Sequence, residues 1–444
     1  MNLEGPKSLV QLPYESAAPS ARHAIIAATV GNALEFYDFV TYAFFAIQIG
    51  RAFFPSSSPY GSLMLSLATF GAGFVTRPIG GIVIGAYADR VGRRAAMTLS
   101  FTMMGAAIVA MALIPPYSVI GIAAPVLAVA ARMVMGFSLG GEVGPTTAYL
   151  LESAPVEKRG RTVAWQGASQ MIASTAGGLV GFVLTIVLRT SALDSYGWRI
   201  AFLLGAVTVP FGLWVRRGLP ETLHAAEQSA SAVSGSNSWI GAALEHWLIL
   251  VLGLAILAHG TIRTYVTHYM TTFAQDTLHM AAGPAFAVVM VSGVTTLVGI
   301  LFGGGLSDRI GRRPVMIWGN LATLLLTYPV FLWVVDARSP TALLTGMGVL
   351  GLVGGIPAGG FYVALTESLP KPIRGGAFAI VYAVAIAVFG GTCQPLVNWL
   401  IHVTGNPMAP AWYLLGATVV GQVAMQLVKE SAPAKLARGD RQHG

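Results

Sequence analysis

Apolar and polar positions along this chain alternate in long blocks. Runs of the roughly 20 mostly apolar residues that a helix needs to cross a bilayer fall at 24–50, 61–87, 95–114, 119–151, 162–188, 198–216, 246–273, 284–306, 314–335, 340–369, 375–402 and 410–428. The pattern predicts twelve membrane-spanning helices. A closed β-barrel would instead show short segments of alternating hydrophobicity. Pro78, Pro145, Pro357 and Pro395 fall inside spans, where neighbouring helices can accommodate a kink. The polar opening MNLEGPKSLVQLPYESAAPSARH precedes the first run, which ends without a small-residue cleavage site. That run therefore reads as a true first span and not a removable leader.

Two breaks between spans are near copies. GAYADRVGRR occupies 85–94 and GGLSDRIGRR occupies 304–313, 219 residues apart. A second match runs through spans 4 and 10. Gly136, Gly140, Gly144, Glu152 and Arg159 correspond, 215 residues on, to Gly351, Gly355, Gly359, Glu367 and Arg374. Glycines four apart lie on one helix face and permit close backbone approach. Both matches keep the order of elements, so the two halves are expected to be parallel repeats about an axis along the membrane normal, an architecture found in secondary transporters. The longest hydrophilic break, 218–245, carries AEQSASAVSGSNS, a flexible-connector composition. The expected organisation is a tail at 1–23, a six-helix bundle at 24–217, a linker at 218–245, a second six-helix bundle at 246–429 and a tail at 430–444.

Composition agrees with a lipid environment. The chain of 444 residues is 55% hydrophobic and 10% charged, with mean hydropathy +0.69, whereas soluble domains carry roughly 25% charge. A net charge of +8 could indicate nucleic acid, but the positions of the charges explain it without one. Nineteen Lys and Arg lie in the tails and one set of loops, against four in the opposite loops. By the positive-inside rule both termini are expected in the cytoplasm. A single cysteine, Cys393, excludes an intramolecular disulfide and a Cys-based metal site. His259 and His268 are nine apart and form no metal-ligand pair, so no metal or organic cofactor is expected.

At the repeated loops the chain resembles the major facilitator superfamily. The signature G-x-L-x-D-R-x-G-R-R is present, with Tyr87 at the Leu position in the first copy and Leu306 in the second. GNALEFYDF at 31–39, RPIGGIVIGAYADRVGRR at 77–94, RMVMGFSLGGEVG at 132–144, LESAPVEKRG at 151–160 and WQGASQ at 165–170 are similar to the metabolite:proton symporter branch. Around spans 1, 2, 4 and 5 they are most similar to its citrate and tricarballylate carriers. The resemblance covers essentially the whole chain. It implies an all-α, twelve-span fold and import of a small carboxylate with protons by alternating access. It further implies a multi-pass place in a bacterial inner membrane and function as a monomer in lipid. It also implies that Asp89, Arg90, Arg93 and Glu152, with their counterparts Asp308, Arg309, Arg312 and Glu367, gate the cytoplasmic side. The two aspartates can accept hydrogen bonds from a neighbouring helix N-terminus or pair with adjacent basic groups. Simple topology signalling would explain the arginines but not the matched aspartates.

Some ionisable residues sit where lipid should forbid them. Arg77, Arg132 and Arg263 lie inside spans 2, 4 and 7, each at a cost of about 2.5–3.5 kcal/mol on insertion scales. They are expected to face a wet cavity near the middle of the bilayer and grip carboxylates with their planar forks; the structural alternative is an internal ion-pair strut. At the repeat-related positions stand Thr296 and Met347, so Arg77 and Arg132 depart from a shared scaffold. Glu35 and Asp38 on span 1, and Glu142 on span 4, are candidates for proton exchange, or else permanent partners of an interior arginine. Gln166, Ser169 and Gln170 share one side of span 5. Asn32, Tyr37, His259, Tyr265, His268 and Gln394 add polar groups elsewhere. Each can bond substrate or simply tie helices together.

Competing functions fit less well. Related drug:proton antiporters carry a Gly-Pro motif in span 5, where GASQMIASTAGGLVGF has no proline. A membrane enzyme would need a clustered nucleophile, base or metal set, and a sensor an appended soluble domain. Within the symporter reading, ketoglutarate, shikimate, betaine and proline remain alternative substrates.

Overall fold

The structure, a computed structural model, describes residues 21–91, 93–141, 147, 150–152, 154–217, 245–370, 374–433 and 435. Both expected tails and the linker fall largely outside these residues, as do Glu142 and the side chains of Glu35, Asp38, Asp89, Arg90 and Arg93. All regular structure among the described residues is helical.

Among the described residues the long helices group into twelve successive segments. Helix α1 is Ala21–Phe44, prolonged by Ala46–Phe53. Helix α2 is Pro59–Val75, continued after a turn at Thr76 by Arg77–Val91. Then come α3 (Arg93–Leu113), α4 (Ala123–Ser138, with a 3₁₀ turn Leu139–Gly141), α5 (Arg159–Val187) and α6 (Trp198–Arg217). The second half comprises α7 (Trp247–Thr272), α8 (Ala282–Ile310), α9 (Arg312–Ala337) and α10 (Pro340–Ser368). It ends with α11 (Arg374–Ala385 and Gly391–Thr404) and α12 (Ala409–Leu427). Segments α2, α5 and α7 to α11 supply seven helices long and apolar enough to cross a membrane. Their outer faces carry exposed Ile82, Trp318, Phe302 and Leu325, as expected where lipid is the solvent.

Local chemistry explains several boundaries. Ser58 accepts from the backbone N–H of Gly61 at 3.1 Å, and Ser339 from that of Ala342 at 3.2 Å. Each caps a helix with proline in its first turn, where the missing N–H is no loss. Pro78 breaks α2 at Thr76, because it has no N–H to offer the Phe74 carbonyl and its ring crowds that carbonyl; the Thr76 hydroxyl then lies 3.2 Å from the Gly73 carbonyl and 2.7 Å from that of Met133. Gly311, at φ +107°, makes the sharp turn from α8 into α9, a conformation costly for any side chain. In α11 a π-turn, Ile386–Gly390, interrupts what the sequence presents as one continuous span. Between α3 and α4 the chain adds a separate turn of helix, Tyr117–Ile120, whereas α9 passes to α10 through only Arg338 and Ser339.

The repeat holds at the level of individual contacts. On α4, a Cβ added to Gly136 would press on the Gly73 carbonyl, and one on Gly140 would meet Arg77 and Gly81 on α2. On α10, a Cβ on Gly351 would meet the Ser292 carbonyl at 3.0 Å, and one on Gly355 would meet Thr296 O at 2.5 Å and Ile300 N at 3.0 Å, all on α8. Positions 73, 77 and 81 map onto 292, 296 and 300. The glycine rows therefore make the same helix crossing twice, and the chain consists of two parallel six-helix pseudo-repeats. The halves meet chiefly along α5 with α8, and α2 with α11. Gly355→Leu is expected to destabilise the fold by about 3 kcal/mol, because the clash is with backbone that cannot rotate away. Gly305→Ala, which points into open space, should leave thermal unfolding in detergent unchanged, and equal Tm values for the two variants would refute the crossing.

Candidate functional site

Helices α1, α5, α7, α8, α10 and α11 line a cavity of about 40 Å³ between the halves. Its polar rim is Gln170 and Ser174 from α5, Arg263, Tyr265 and His268 from α7, Tyr362 from α10 and Tyr382 from α11. Phe36, Leu257, Ile300 and Phe361 complete the wall. Gln170 and Ser174 are one helical turn apart, as are Thr261 and Tyr265, so each helix turns one stripe inward. Ligand pockets for small molecules usually measure some hundreds of Å³. This cavity is therefore occluded, and a metabolite can enter only when the halves separate at one end.

Two hydrogen bonds cross from half to half at its wall. Gln170 Nε2 donates to the Tyr382 hydroxyl at 3.2 Å, and Ser174 Oγ lies 2.9 Å from His268 Nε2. Among the described residues no hydrogen bond or ion pair occupies the Arg263 guanidinium, which is 8% exposed beside the cavity.

Arg77 and Arg132 do not join Arg263 there. Sequence reasoning placed all three around one cavity; the structure puts only Arg263 on its wall. The guanidinium carbon of Arg77 lies 4.2 Å from the Phe39 ring centre and 4.8 Å from that of Phe74. Arg132 lies on the same Phe39 ring at 4.4 Å, on Tyr42 at 4.6 Å and on Phe70 at 5.0 Å. Aromatic faces attract cations strongly where water is absent, so these rings provide an alternative to substrate contact. The signal was present in the sequence as Phe36 and Phe39, and Phe70 and Phe74, at helical spacing on α1 and α2. Only one aromatic layer separates these cations from the cavity, because Phe74 packs edge-on against Tyr265 with centroids 5.3 Å apart.

The remaining candidates divide. Asn32 Nδ2 donates to Ser169 Oγ at 2.6 Å, and Gln166 Nε2 donates to Asn32 Oδ1 at 3.4 Å. This trio ties α1 to α5 behind the cavity. The Tyr37 hydroxyl donates to the Ala201 carbonyl on α6 at 3.2 Å. His259 turns toward Gly421 on α12. Gln394 is fully buried, without a hydrogen-bond partner for either amide atom among the described residues, and is not on the cavity wall. Gln170, Tyr265 and His268 do reach it. Ser174, Tyr362 and Tyr382 also reach it, although the sequence analysis did not single them out.

At one end of the bundle the second loop motif bonds across the two halves. The Asp308 carboxylate accepts the backbone N–H groups of Gly160 and Arg161, at 2.8 and 2.9 Å. These open α5, which belongs to the other half, and a helix N-terminus favours negative charge. Arg312 Nη1 donates to Asp308 at 2.5 Å, and its Nε and Nη2 fork onto Glu367, both at 3.3 Å. Asp308 thus uses both of the contacts expected of it, with a helix N-terminus and with a basic group. A Cβ on Gly160 would strike the Arg312 guanidinium and the Gly304 carbonyl, so the close approach depends on that glycine. Arg309 and Glu152 are both exposed. Glu430 was not anticipated. Its carboxylate accepts the N–H groups of Arg312 at 2.9 Å and Arg313 at 3.1 Å, while the Ser431 hydroxyl donates to Glu367 at 2.8 Å. The segment after α12 therefore fastens the start of α9. At the far end the rings of Tyr60 on α2 and His402 on α11 stack 3.7 Å apart.

Two related helical bundles around a central cavity with polar groups on its wall are the architecture of an alternating-access membrane carrier. The model described as "Sugar (and other) transporter" matches residues 23–233, and that described as "Major Facilitator Superfamily" matches 286–442. The chain is 35% identical to a citrate-proton symporter of Salmonella typhi, over 91% of this chain and 93% of that one. It is 36% identical to a citrate-proton symporter of Klebsiella pneumoniae, over 93% of each, and 31% identical to a proline/betaine transporter of Escherichia coli, over 94% of this chain and 85% of that one. A D-xylose-proton symporter crystal structure superimposes with a TM-score of 0.74 at 19% identity, covering 94% of this chain and 99% of that one, which speaks for the fold. The chain belongs to the major facilitator superfamily. It is a transporter of small molecules and not an enzyme.

Proposed function

We propose that this protein imports a di- or tricarboxylate, citrate or a near relative, together with protons. The observation that carries this reading is the Arg263 guanidinium on the wall of the occluded cavity, without an acidic partner among the described residues. A buried charge without a counter-ion is expensive, and a planar bidentate carboxylate is the ligand its fork fits. Similarity to citrate-proton symporters over more than nine-tenths of the chain supports it. The relatives named for proline and betaine supply the second reading. A zwitterion carries its own cation and would meet Arg263 with no net charge to offer.

Electrostatics makes proton coupling necessary. Against a negative-inside potential, each negative charge imported costs about 2.3 kcal/mol per 100 mV, so a trianion faces roughly 7 kcal/mol. Three protons cancel that term and a fourth drives uptake. Asp38, Glu35 and Glu142 are proposed to carry protons, and Gln170 and Tyr265 to contact substrate, as do Arg77 and Arg132 if they leave their aromatic rings when the cavity opens. The Asp308–Arg312–Glu367 network and its counterpart at Asp89, Arg90, Arg93 and Glu152 are proposed to shut the cytoplasmic side. With them go a bacterial inner-membrane location, cytoplasmic termini, a monomeric functional unit and no cofactor other than the proton.

The test is uptake by proteoliposomes under an imposed pH gradient, with citrate, tricarballylate, ketoglutarate, shikimate and betaine compared. Citrate or tricarballylate should accumulate, and Asp38→Asn should retain citrate exchange while losing accumulation. Accumulation of betaine alone would refute the carboxylate reading.

A further inference from the structure

We propose that His268 is a proton site that operates only with ligand present, so that protonated His268 and Arg263 together clamp the two ends of a molecule bearing at least two carboxylates. This rests on the carboxylate reading above and deepens it.

The geometry begins with Ser174. Its single hydroxyl proton is donated to the Gln170 carbonyl, 3.1 Å away. Nε2 of His268, 2.9 Å from Ser174 Oγ, is then the donor in that bond. With the Ser174 proton assigned to that carbonyl, the ring proton sits on Nε2 and the lone pair on Nδ1. Nδ1 is buried and has no hydrogen-bond partner among the described residues. The side chain is 4% exposed and borders the cavity. A buried acceptor without a partner is a costly feature of a folded protein, and here it adjoins the place where a ligand must sit.

The surroundings decide when Nδ1 can hold a proton. From α1 the ring meets the edge of Phe44, centroids 5.4 Å apart; the acids of that helix, Glu35 and Asp38, stand nine and six residues before Phe44, with side chains outside the described residues. From α5 it meets Ser174, and on its own helix Tyr265, at 5.5 Å between centroids. Tyr362 from α10 and Tyr382 from α11 line the same cavity as neutral hydroxyls. Among the described residues the charged group on that wall is Arg263, five residues earlier on α7, or roughly 7.5 Å along the helix axis. An imidazolium beside it would put two cations in one closed space, which burial opposes. A ligand with one carboxylate at each end of that span neutralises both.

The proton comes from solution on whichever side the cavity is open, binds the Nδ1 lone pair, and leaves with the ligand; no other bond changes. Since proton and ligand each favour the other's binding, the coupling is reciprocal. A single carboxylate satisfies Arg263 alone, so a proline- or betaine-like solute does not recruit this proton.

The purified full-length protein in buffers of different ionisation heat will give protons taken up per citrate bound, by calorimetry. His268→Gln keeps a donor for Ser174 but cannot be protonated. It should still bind citrate, with proton uptake near neutral pH lower by about one, while Ser174→Ala should keep the wild-type count. Unchanged uptake in His268→Gln would overturn the proposal. A readout on the wild type is independent of whether that variant folds: citrate-induced infrared difference spectra should show imidazolium bands appearing, and carboxylic-acid bands without imidazolium would overturn it equally. Absence of citrate binding by the wild type would sink the carboxylate reading and this inference together.

Discussion

Arg263→Ala will lower citrate uptake roughly 100- to 1,000-fold, the equivalent of about 3–4 kcal/mol for a desolvated charge pair at 1.4 kcal/mol per decade. The size follows from the site. The guanidinium borders an occluded cavity with no acid beside it among the described residues, so nothing nearby substitutes for it. Arg263→Lys keeps the charge but loses the planar fork and should recover only part of the loss. Gly354 packs against the Arg263 side chain, with a virtual Cβ 3.1 Å from Nη1, so the shorter contact geometry of lysine also leaves a gap. Binding measured by calorimetry separates loss of affinity from loss of turnover. Unimpaired citrate binding in Arg263→Ala would remove the central cation from the mechanism.

Asp308→Ala will open the loop-motif end. It removes the acceptor of two backbone N–H groups across the half-to-half interface and one partner of the buried Arg312. Hydrogen bonds to a charged group are each worth about 1.5–3 kcal/mol, so losing the two that cross the interface costs at least about 3 kcal/mol. That is a shift of roughly 100-fold or more in the balance between closed and open states. Ala164, one turn beyond Gly160 and packed on Gly304, is 1% exposed in the closed form. A cysteine placed there, in a background with Cys393 replaced by serine, should react with a polar thiol reagent about 100-fold faster when Asp308 is absent. Equal rates would mean that Asp308 does not hold this end shut.

The scaffold was legible because its signals are redundant. Length of apolar runs, two loop copies and two glycine rows all point to one arrangement, and the Gly140–Arg77 and Gly355–Thr296 crossings realise it. The interior was less legible, for a geometrical reason. Twelve helices place polar groups at the correct depth, but rotation about each axis decides whether a group meets the cavity or another helix. Arg77, Arg132 and Arg263 stand at similar depths, yet Phe39 takes the first two and the cavity takes the third. Asn32, Gln166 and Ser169 found each other for the same reason, while Gln170, only one residue beyond Ser169, turned inward. The π-turn at Ile386–Gly390 adds a residue to one turn of α11 and changes the facing of everything after it. Span counting cannot register that. Glu430 lay beyond the last span, where no repeat partner announced its contact with α9.

The two loop copies stand 219 residues apart, but the glycine rows that follow them stand 215 apart. The second half has therefore dispensed with four residues somewhere between the motif and the row, and the added turn Tyr117–Ile120 is where the first half keeps them. A connection that tolerates such a difference without disturbing either crossing is under little constraint. It is the natural place to graft an epitope, a fluorophore tag or a rigid fiducial for cryo-electron microscopy, leaving the carrier free to cycle beneath its label.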